Sequence, residues 1–115
     1  MSKMTHKDFA SVVSILDSIE KILEYTSKFK NPDEFYEDTK SFDAAMMNFI
    51  VIGEMADKIS DEIKKETADR VDWRKVVGFR NIIAHNYFGI DAEEVWQIIQ
   101  NSLIGLKETL NDYVD

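Results

Sequence analysis

The segment RNIIAHNYFGID, residues 80–91, holds the side chains best suited to chemistry in this chain of 115 residues. Arg80 and His85 stand five positions apart, and Tyr87 follows two positions later. Arginine presents planar donors that suit a phosphoryl group whose negative charge is growing. Histidine ordinarily changes protonation near neutral pH, so it can take or give a proton in such a reaction. These residue types could serve a phosphate-directed site, although the spacing alone is a weak signal, and the alternative is an arginine–carboxylate pair beside a helix-terminal histidine with no catalysis.

The charge distribution is compatible with phosphate binding by this part of the chain. A net charge of −8 argues against a general coat for nucleic acid, because phosphate binding relies on lysine and arginine. Residues 73–90 nevertheless contain Arg74, Lys75 and Arg80 and no acid, so this window carries +3 and the remainder −11. Arg74 and Lys75 are therefore candidate contacts to substrate phosphate. The alternative is a helix that happens to lack acids.

The sequence gives little support for cysteine chemistry, a metal site or a nucleotide cofactor. The chain has no cysteine, which excludes disulfides, thiolate metal sites and a cysteine nucleophile. Its two histidines, His6 and His85, have no glutamate three positions before them, and no zinc motif or phosphate-binding glycine loop occurs. We therefore expect no metal and no cofactor, while a serine–histidine–aspartate triad stays open. His6 is predicted to be solvated and without a role.

The sequence shows no targeting or membrane signal. MSKMTHKDFA lacks an apolar core of signal-peptide length, and no apolar run approaches the roughly 18 residues of a membrane span. We expect a cytoplasmic protein without membrane association.

The elements that must position residues 80–91 are helices. Only four glycines and one proline occur, and apolar residues recur at three- and four-residue steps. The first helix is predicted to begin after Thr5, which with Asp8 resembles a capping box, and to end before Asn31-Pro32-Asp33. A short helix within DEFYEDTK follows. Three further helices are predicted over about Ser41–Glu66, about Trp73–Tyr87 and from an N-cap at Asp91, with Glu94 as its partner, to Leu110.

These elements predict an all-α protein, an antiparallel four-helix bundle with a short extra helix between the first two long helices, in a single domain over residues 1–115. Gly89 is predicted to end the third helix in the left-handed conformation. Met46 and Met47 are predicted to fill gaps in the core. The residues predicted to be buried are Phe9, Val12, Val13, Leu16, Ile19, Ile22, Leu23, Phe29, Phe42, Ala45, Met46, Phe49, Ile52, Met55, Ala56, Ile59, Ile63, Val95, Trp96, Ile99, Leu103, Leu106 and Leu110.

On the third predicted helix, the side chains of Arg80 and His85 point in different directions. On an ideal helix Arg80 falls within an apolar arc, where its charge needs a carboxylate such as Glu54, a second subunit or a bound anion. His85 lies roughly 140° around the axis from Arg80, whereas Tyr87 lies only about 20° away. Arg80 and His85 can therefore meet only if the helix loosens, the arginine curls round it, or a two-fold partner brings its own copies.

RNIIAHNY resembles the R-x4-H-x-Y motif of HepT-like proteins. These belong to the HEPN superfamily of small all-helical proteins, many of them toxins of toxin–antitoxin systems. The segments IVIGEMADKIS, DWRKVVGFRNIIAHNYFGID and VWQII also resemble that family. The resemblance extends from about Met1 to Leu110, although the connection before Trp73 lacks an expected proline.

The resemblance implies roles for particular residues. Arg80 and His85 match the catalytic arginine and histidine of HEPN ribonucleases, and Asn81 matches the polar residue that often follows the arginine. Tyr87 matches the tyrosine that a partner nucleotidyltransferase antitoxin can modify with AMP. Family members usually form two-fold dimers with the motif in a cleft between subunits.

The implied function is a metal-independent ribonuclease toxin of a type VII-like pair. Its products would be a 2′,3′-cyclic phosphate and a 5′-hydroxyl. Its expected partners are a second copy of the chain, RNA and a cognate minimal nucleotidyltransferase antitoxin. The alternative is a catalytically silent HEPN bundle that binds nucleotide or protein partners, and a third interpretation is a purely structural helical dimer.

Overall fold

The protein is helical throughout its regular structure in residues 4–114, which are the residues that the computed structural model describes. The predicted all-α class is confirmed. Residues 1–3 and 115, the ends of the predicted 1–115 domain, lie outside the described residues, as does Met1, where the family resemblance begins. The α-helices are α1 (His6–Thr26), α2 (Pro32–Glu37), α3 (Thr39–Lys58), α4 (Asp61–Glu66), α5 (Trp73–His85), α6 (Ala92–Gln97) and α7 (Leu103–Val114).

The helices form the expected bundle. The principal pairings are α1 with α3 and α3 with α5, and α7 closes against α1. The short α2 lies between α1 and α3 in the chain, as predicted, and packs on α3 and α6. The core comprises Val12, Ile15, Ile19, Ile22, Phe35, Phe42, Ala45, Met46, Phe49, Ile52, Ala56, Ile59, Ile63, Val71, Trp73, Ile83, Val95, Ile99, Leu103, Leu106 and Leu110.

Side-chain oxygens begin most of these helices. The predicted N-caps Thr5 and Asp91 are confirmed: Thr5 accepts from the Asp8 N–H, and Asp91 accepts from the Glu93 N–H rather than from Glu94. The reciprocal half of the capping box at Thr5 is wrong. The buried Asp8 carboxylate instead accepts the Ser60 N–H at 3.0 Å, across 52 positions of sequence.

The contact between Asp8 and Ser60 explains why the predicted second long helix is divided in two. The sequence predicts one helix over Ser41–Glu66, whereas α3 ends at Lys58 and α4 begins at Asp61. Ile59 and Ser60 are extended, with ψ of 141° and 153°. The carboxylate of Asp8 takes the Ser60 N–H that a continuous helix would bond to the carbonyl four residues earlier, so the chain turns there.

The predicted core includes three residues that are exposed instead. Phe9, Val13 and Met47 are 52%, 46% and 60% exposed. In α1 the packed stripe runs through Val12 and Ile15, which places Phe9 and Val13 at its outer edge. In α3, Met46 faces the core and its neighbour Met47 therefore points outward.

The third predicted helix also ends early. It was expected to reach Tyr87, but α5 ends at His85 because Asn86 leaves the helical conformation at φ −147° and ψ 52°. A 3₁₀ turn, Tyr87–Gly89, follows. The left-handed conformation predicted for Gly89 is wrong, since the described glycines have no positive φ. A Cβ at position 89 would lie 2.7 Å from Oδ1 of Asn86, the end of an exposed side chain that can move aside, so no close packing requires this glycine.

The fourth predicted helix is continuous but not uniform. A π-helical turn, Ile98–Ser102, joins α6 to α7. The predicted stripe is confirmed, with Trp96 partly buried and the other five residues buried. Among residues 4–114, no helix combines the length and the apolar character that a membrane span requires.

Candidate functional site

Arg80 lies where α5 passes closest to α3. A Cβ at position 53 would overlap the Cβ of Arg80 and would lie 3.1 Å from its Cγ. Glycine is therefore required in α3 for the two helices to approach this closely. The close neighbour of Gly53 is therefore the arginine of the motif.

The guanidinium of Arg80 is held by three side chains. Its Nη1 lies 3.2 Å from Oε1 of Glu54 and 3.8 Å from Oδ2 of Asp57, and its Nε donates to Oδ1 of Asn81 at 3.1 Å. The Arg80 side chain is only 17% exposed, so these oxygens offset the cost of removing its charge from water. The predicted Glu54 partner is confirmed. Nη2 makes no hydrogen bond or ion pair within the described part of the chain.

His85 presents the opposite situation. It is the last residue of α5 and is exposed, and its side chain makes no hydrogen bond, ion pair or ring contact with residues 4–114. The helix keeps its α-helical form as far as His85, so it does not loosen in the way that would let Arg80 and His85 meet. Because Glu54 and Asp57 draw Arg80 toward α3, the arginine does not curl round α5 either.

An outward strip of α5 carries His85. Gly78, Asn81, Ile82 and His85 recur at three- and four-residue steps and therefore share one face, which we call the α5 strip. Ile82 is 53% exposed, and a Cβ at Gly78 would meet no atom within 4 Å. Phe88, just beyond the helix, is fully exposed. Exposed apolar side chains beside an open glycine are typical of a surface that packs against another protein.

Tyr87 lies beyond α5, so its predicted position 20° from Arg80 on a continuous helix is wrong. Its hydroxyl donates to the carboxylate of Asp43 near the start of α3. Its ring stands edge-on to Phe42 and Phe88, with ring centroids 6.3 and 5.8 Å away. Burial, together with the hydrogen bond to Asp43, raises the pKa of Tyr87 well above that of an ordinary tyrosine. The side chain is therefore a neutral phenol at physiological pH.

Sequence reasoning missed Asp43. Positions 43, 47, 50, 54 and 57 recur at three- and four-residue steps, so Asp43 shares an outward stripe of α3 with Glu54 and Asp57. That stripe contains the carboxylates that contact Tyr87 and Arg80. The spacing was a usable signal once Glu54 had been singled out.

The two candidate phosphate contacts do not converge on His85 within one chain. Arg74 and Lys75 are exposed in the first turn of α5, about 10 residues before His85, which places them roughly 16 Å away along the helix axis. Two cavities of about 360 and 440 Å³ in the described residues are lined by none of Arg80, Asn81, His85 and Tyr87. In a single chain the motif is therefore spread over an open surface.

The contact between Gly53 and Arg80 leads to a stability prediction. Gly53→Ala is expected to lower the free energy of unfolding by about 1–3 kcal/mol, because the new methyl group overlaps Arg80. Gly105→Ala in α7 is the matched control: its Cβ would enter open space, so the variant should gain up to about 1 kcal/mol from helix propensity. Urea denaturation measures both. Equal stability of the two variants would show that α3 and α5 are farther apart than described.

Comparison with known proteins places this geometry in a family. A family model described as Ribonuclease HepT-like matches residues 15–113. A Methanocaldococcus jannaschii protein named "Putative RNase MJ1380" is 32% identical over 108 residues, which cover 94% of this chain and 95% of that protein. "Probable ribonuclease HepT" from Thermococcus cleftensis is 30% identical over 105 residues, which cover 91% and 92% of the two chains.

A longer relative matches over part of its length. The M. jannaschii protein named "Gamma-glutamylcyclotransferase and putative RNase MJ0434" is 32% identical over 96 residues, and this chain spans only 42% of it. No solved structure matches the chain. The family match covers the whole motif and the helices α3 and α5 that position Arg80, and the chain therefore belongs to the ribonuclease HepT-like family.

Proposed function

We propose that this protein is a metal-independent endoribonuclease, the toxin of a type VII-like toxin–antitoxin pair, with Arg80 and His85 as its catalytic residues. One observation carries the proposal. In this chain of the HepT-like family, the side chain of His85 in the R-x4-H-x-Y motif is exposed and forms no hydrogen bond or ion pair with the described residues. A histidine free of structural contacts is available to exchange protons with a substrate.

The site is completed by a second copy of the chain. Since Arg80 and His85 diverge around α5, we propose a two-fold dimer in which the α5 strips face each other across a cleft. Two-fold symmetry supplies two arginines and two histidines, so groups on different chains can act on one phosphodiester. Arg74 and Lys75, distant from His85 in their own chain, would contact RNA away from the bond that is cut.

The chemistry follows from these groups. One imidazole takes the proton of a ribose 2′-hydroxyl, whose oxygen attacks the adjacent phosphorus. The bond to the 5′-oxygen breaks as the imidazolium formed in this way gives that oxygen a proton, leaving a 2′,3′-cyclic phosphate and a 5′-hydroxyl. Arg80 stabilises the charge on the phosphorane through Nη2, while Glu54 and Asn81 orient the guanidinium.

The test is direct. Purified protein is incubated with total RNA in excess EDTA, and product ends are identified by their reaction with end-specific enzymes. We expect cleavage that leaves cyclic phosphate ends. Intact RNA, or cleavage that stops on chelation, would contradict the proposal.

The same proposal includes control by a minimal nucleotidyltransferase antitoxin that transfers AMP to Tyr87. Asp43, which holds Tyr87, and Glu54, which holds Arg80, lie roughly 16 Å apart along α3, so the added phosphate would not adjoin Arg80 in the same chain. It would instead lie close to His85, two residues away in sequence. AMP would therefore act by covering the histidine side of the cleft and by adding negative charge where RNA must approach.

A silent HEPN bundle is the second candidate function. The observation that favours it is the pairing of Arg80 with Glu54 and Asp57, which already neutralises the arginine. Such a protein would bind nucleotide or protein partners without turnover. The chelator experiment separates the two functions, because only the ribonuclease gives products.

The dimer leads to a further prediction. Ile82→Asp should convert the dimer to a monomer and lower RNA cleavage at least about tenfold, because a charge would be buried in the proposed cleft. Val13→Asp, which alters a similarly exposed side chain on α1, is the matched control. Light scattering during gel filtration measures the mass. A monomer formed by the Val13 variant alone would place the interface on α1 instead.

A further inference from the structure

We propose that Asp43 is the general base that receives the Tyr87 proton when this tyrosine is adenylylated. The inference rests on the proposed modification of Tyr87 and adds a residue that the R-x4-H-x-Y motif does not contain. Asp43 lies 44 positions before Tyr87, on a different helix.

The geometry directs the hydroxyl at this carboxylate. The 3₁₀ turn after α5 brings Tyr87 over the first turns of α3, where its hydroxyl donates to Oδ1 of Asp43. Phe42 and Phe88 contact the tyrosine ring at its sides. The ring is thus oriented by two aromatic neighbours, while its oxygen remains at a partly exposed edge of the molecule.

The carboxylate is available for this role. No lysine, arginine or histidine among the described residues forms an ion pair with Asp43, whereas Glu54 is engaged by Arg80. Asp43 is also exposed, so a proton that it accepts can pass to solvent. Its carboxylate accepts the hydrogen bond from Tyr87.

The transfer needs such a group. The Tyr87 oxygen attacks the α-phosphorus of ATP, an O–P bond forms, and the bond to pyrophosphate breaks. The phenol proton must leave as the new bond forms, and Asp43 already accepts its hydrogen bond. Because burial and this same bond disfavour the free phenolate, the oxygen is not ionised in advance and needs a base in the transition state.

Asp43→Asn separates base from hydrogen-bond acceptor. Asparagine keeps the size and a side-chain oxygen for Tyr87 but cannot take its proton. Each variant is incubated with ATP and the proposed nucleotidyltransferase antitoxin, and transfer is followed by intact mass. We expect Asp43→Asn to slow transfer at least about 10²-fold and Asp43→Glu to restore part of the rate.

Glu66→Gln is the matched control. Tyr113 donates to Glu66 at 2.7 Å, so this variant removes a base from a tyrosine–carboxylate pair elsewhere in the chain. Its transfer rate should equal that of the wild type. With Asp43→Asn, transfer should accelerate as pH rises from about 7 to about 9, because hydroxide then replaces the base, while the wild-type rate changes little.

The outcomes distinguish the proposals. Wild-type transfer rates in Asp43→Asn, or a slower rate with the wild-type pH profile, would overturn the role of Asp43 as base. Absence of AMP on the wild type would overturn the modification together with this inference. RNA cleavage by the wild type, measured in parallel without ATP, decides the ribonuclease proposal independently.

Discussion

Replacement of His85 by alanine is expected to lower RNA cleavage by about 10³-fold, because the proposed reaction loses its proton-transfer group. The fold should be unaffected. His85 is exposed and its side chain makes no hydrogen bond, ion pair or ring contact in the described chain, so the free energy of unfolding should change by less than about 0.5 kcal/mol. Initial rates on a labelled RNA and a urea titration of the same preparation provide both measurements.

His6→Ala is the matched control for this experiment. His6 is also an exposed histidine at a helix end, at the start of α1. We expect wild-type cleavage from this variant. Cleavage by His85→Ala at the wild-type rate would remove histidine catalysis from the proposal, and in a bacterial host it would appear as undiminished toxicity.

Mixing two inactive chains should restore activity. Arg80→Ala and His85→Ala are each expected to be inactive, but a dimer with one chain of each kind contains one Arg80 and one His85 on different chains. If these two groups act together across the cleft, random exchange restores about a quarter of the wild-type sites. The measurement is the cleavage rate after unfolding and refolding the variants together.

The control is the double variant Arg80→Ala, His85→Ala mixed with the wild type. There no dimer of mixed chains can form a complete pair across the cleft. At equal amounts the rate should therefore fall, as the chains exchange, from about half to about a quarter of the rate of wild type at the same total concentration. Failure of the first mixture to gain any activity would contradict an active site in which one arginine and one histidine come from different chains.

Local pattern was sufficient for much of the fold. Apolar spacing located the long helices, and side-chain oxygens correctly marked the starts of α1 and α6. The errors arose where a distant residue intervenes. The break between α3 and α4 depends on Asp8, which is 52 positions from Ser60, and no helical periodicity contains such a contact.

The candidate site likewise contains features that the sequence could predict and features that depend on a distant residue or an irregular turn. The pairing of Arg80 with Glu54 could be predicted, because a charge within an apolar arc calls for a carboxylate partner. The position of Tyr87 could not be predicted, since Asn86 ends the helix one residue before Tyr87 and helical-wheel geometry no longer applies there. Asp43 then becomes its partner through a turn that periodicity does not describe.

Because Arg80 packs against Gly53, the two proposed catalytic residues of the motif are expected to be under different selection. The aliphatic stem of Arg80 is a packing element between α3 and α5, so its loss would disturb the fold even in a relative without activity. The side chain of His85 makes no hydrogen bond, ion pair or ring contact with the described residues that selection for stability would preserve. Once turnover was no longer selected, mutation would remove the histidine first, and an inactive descendant would still carry the arginine.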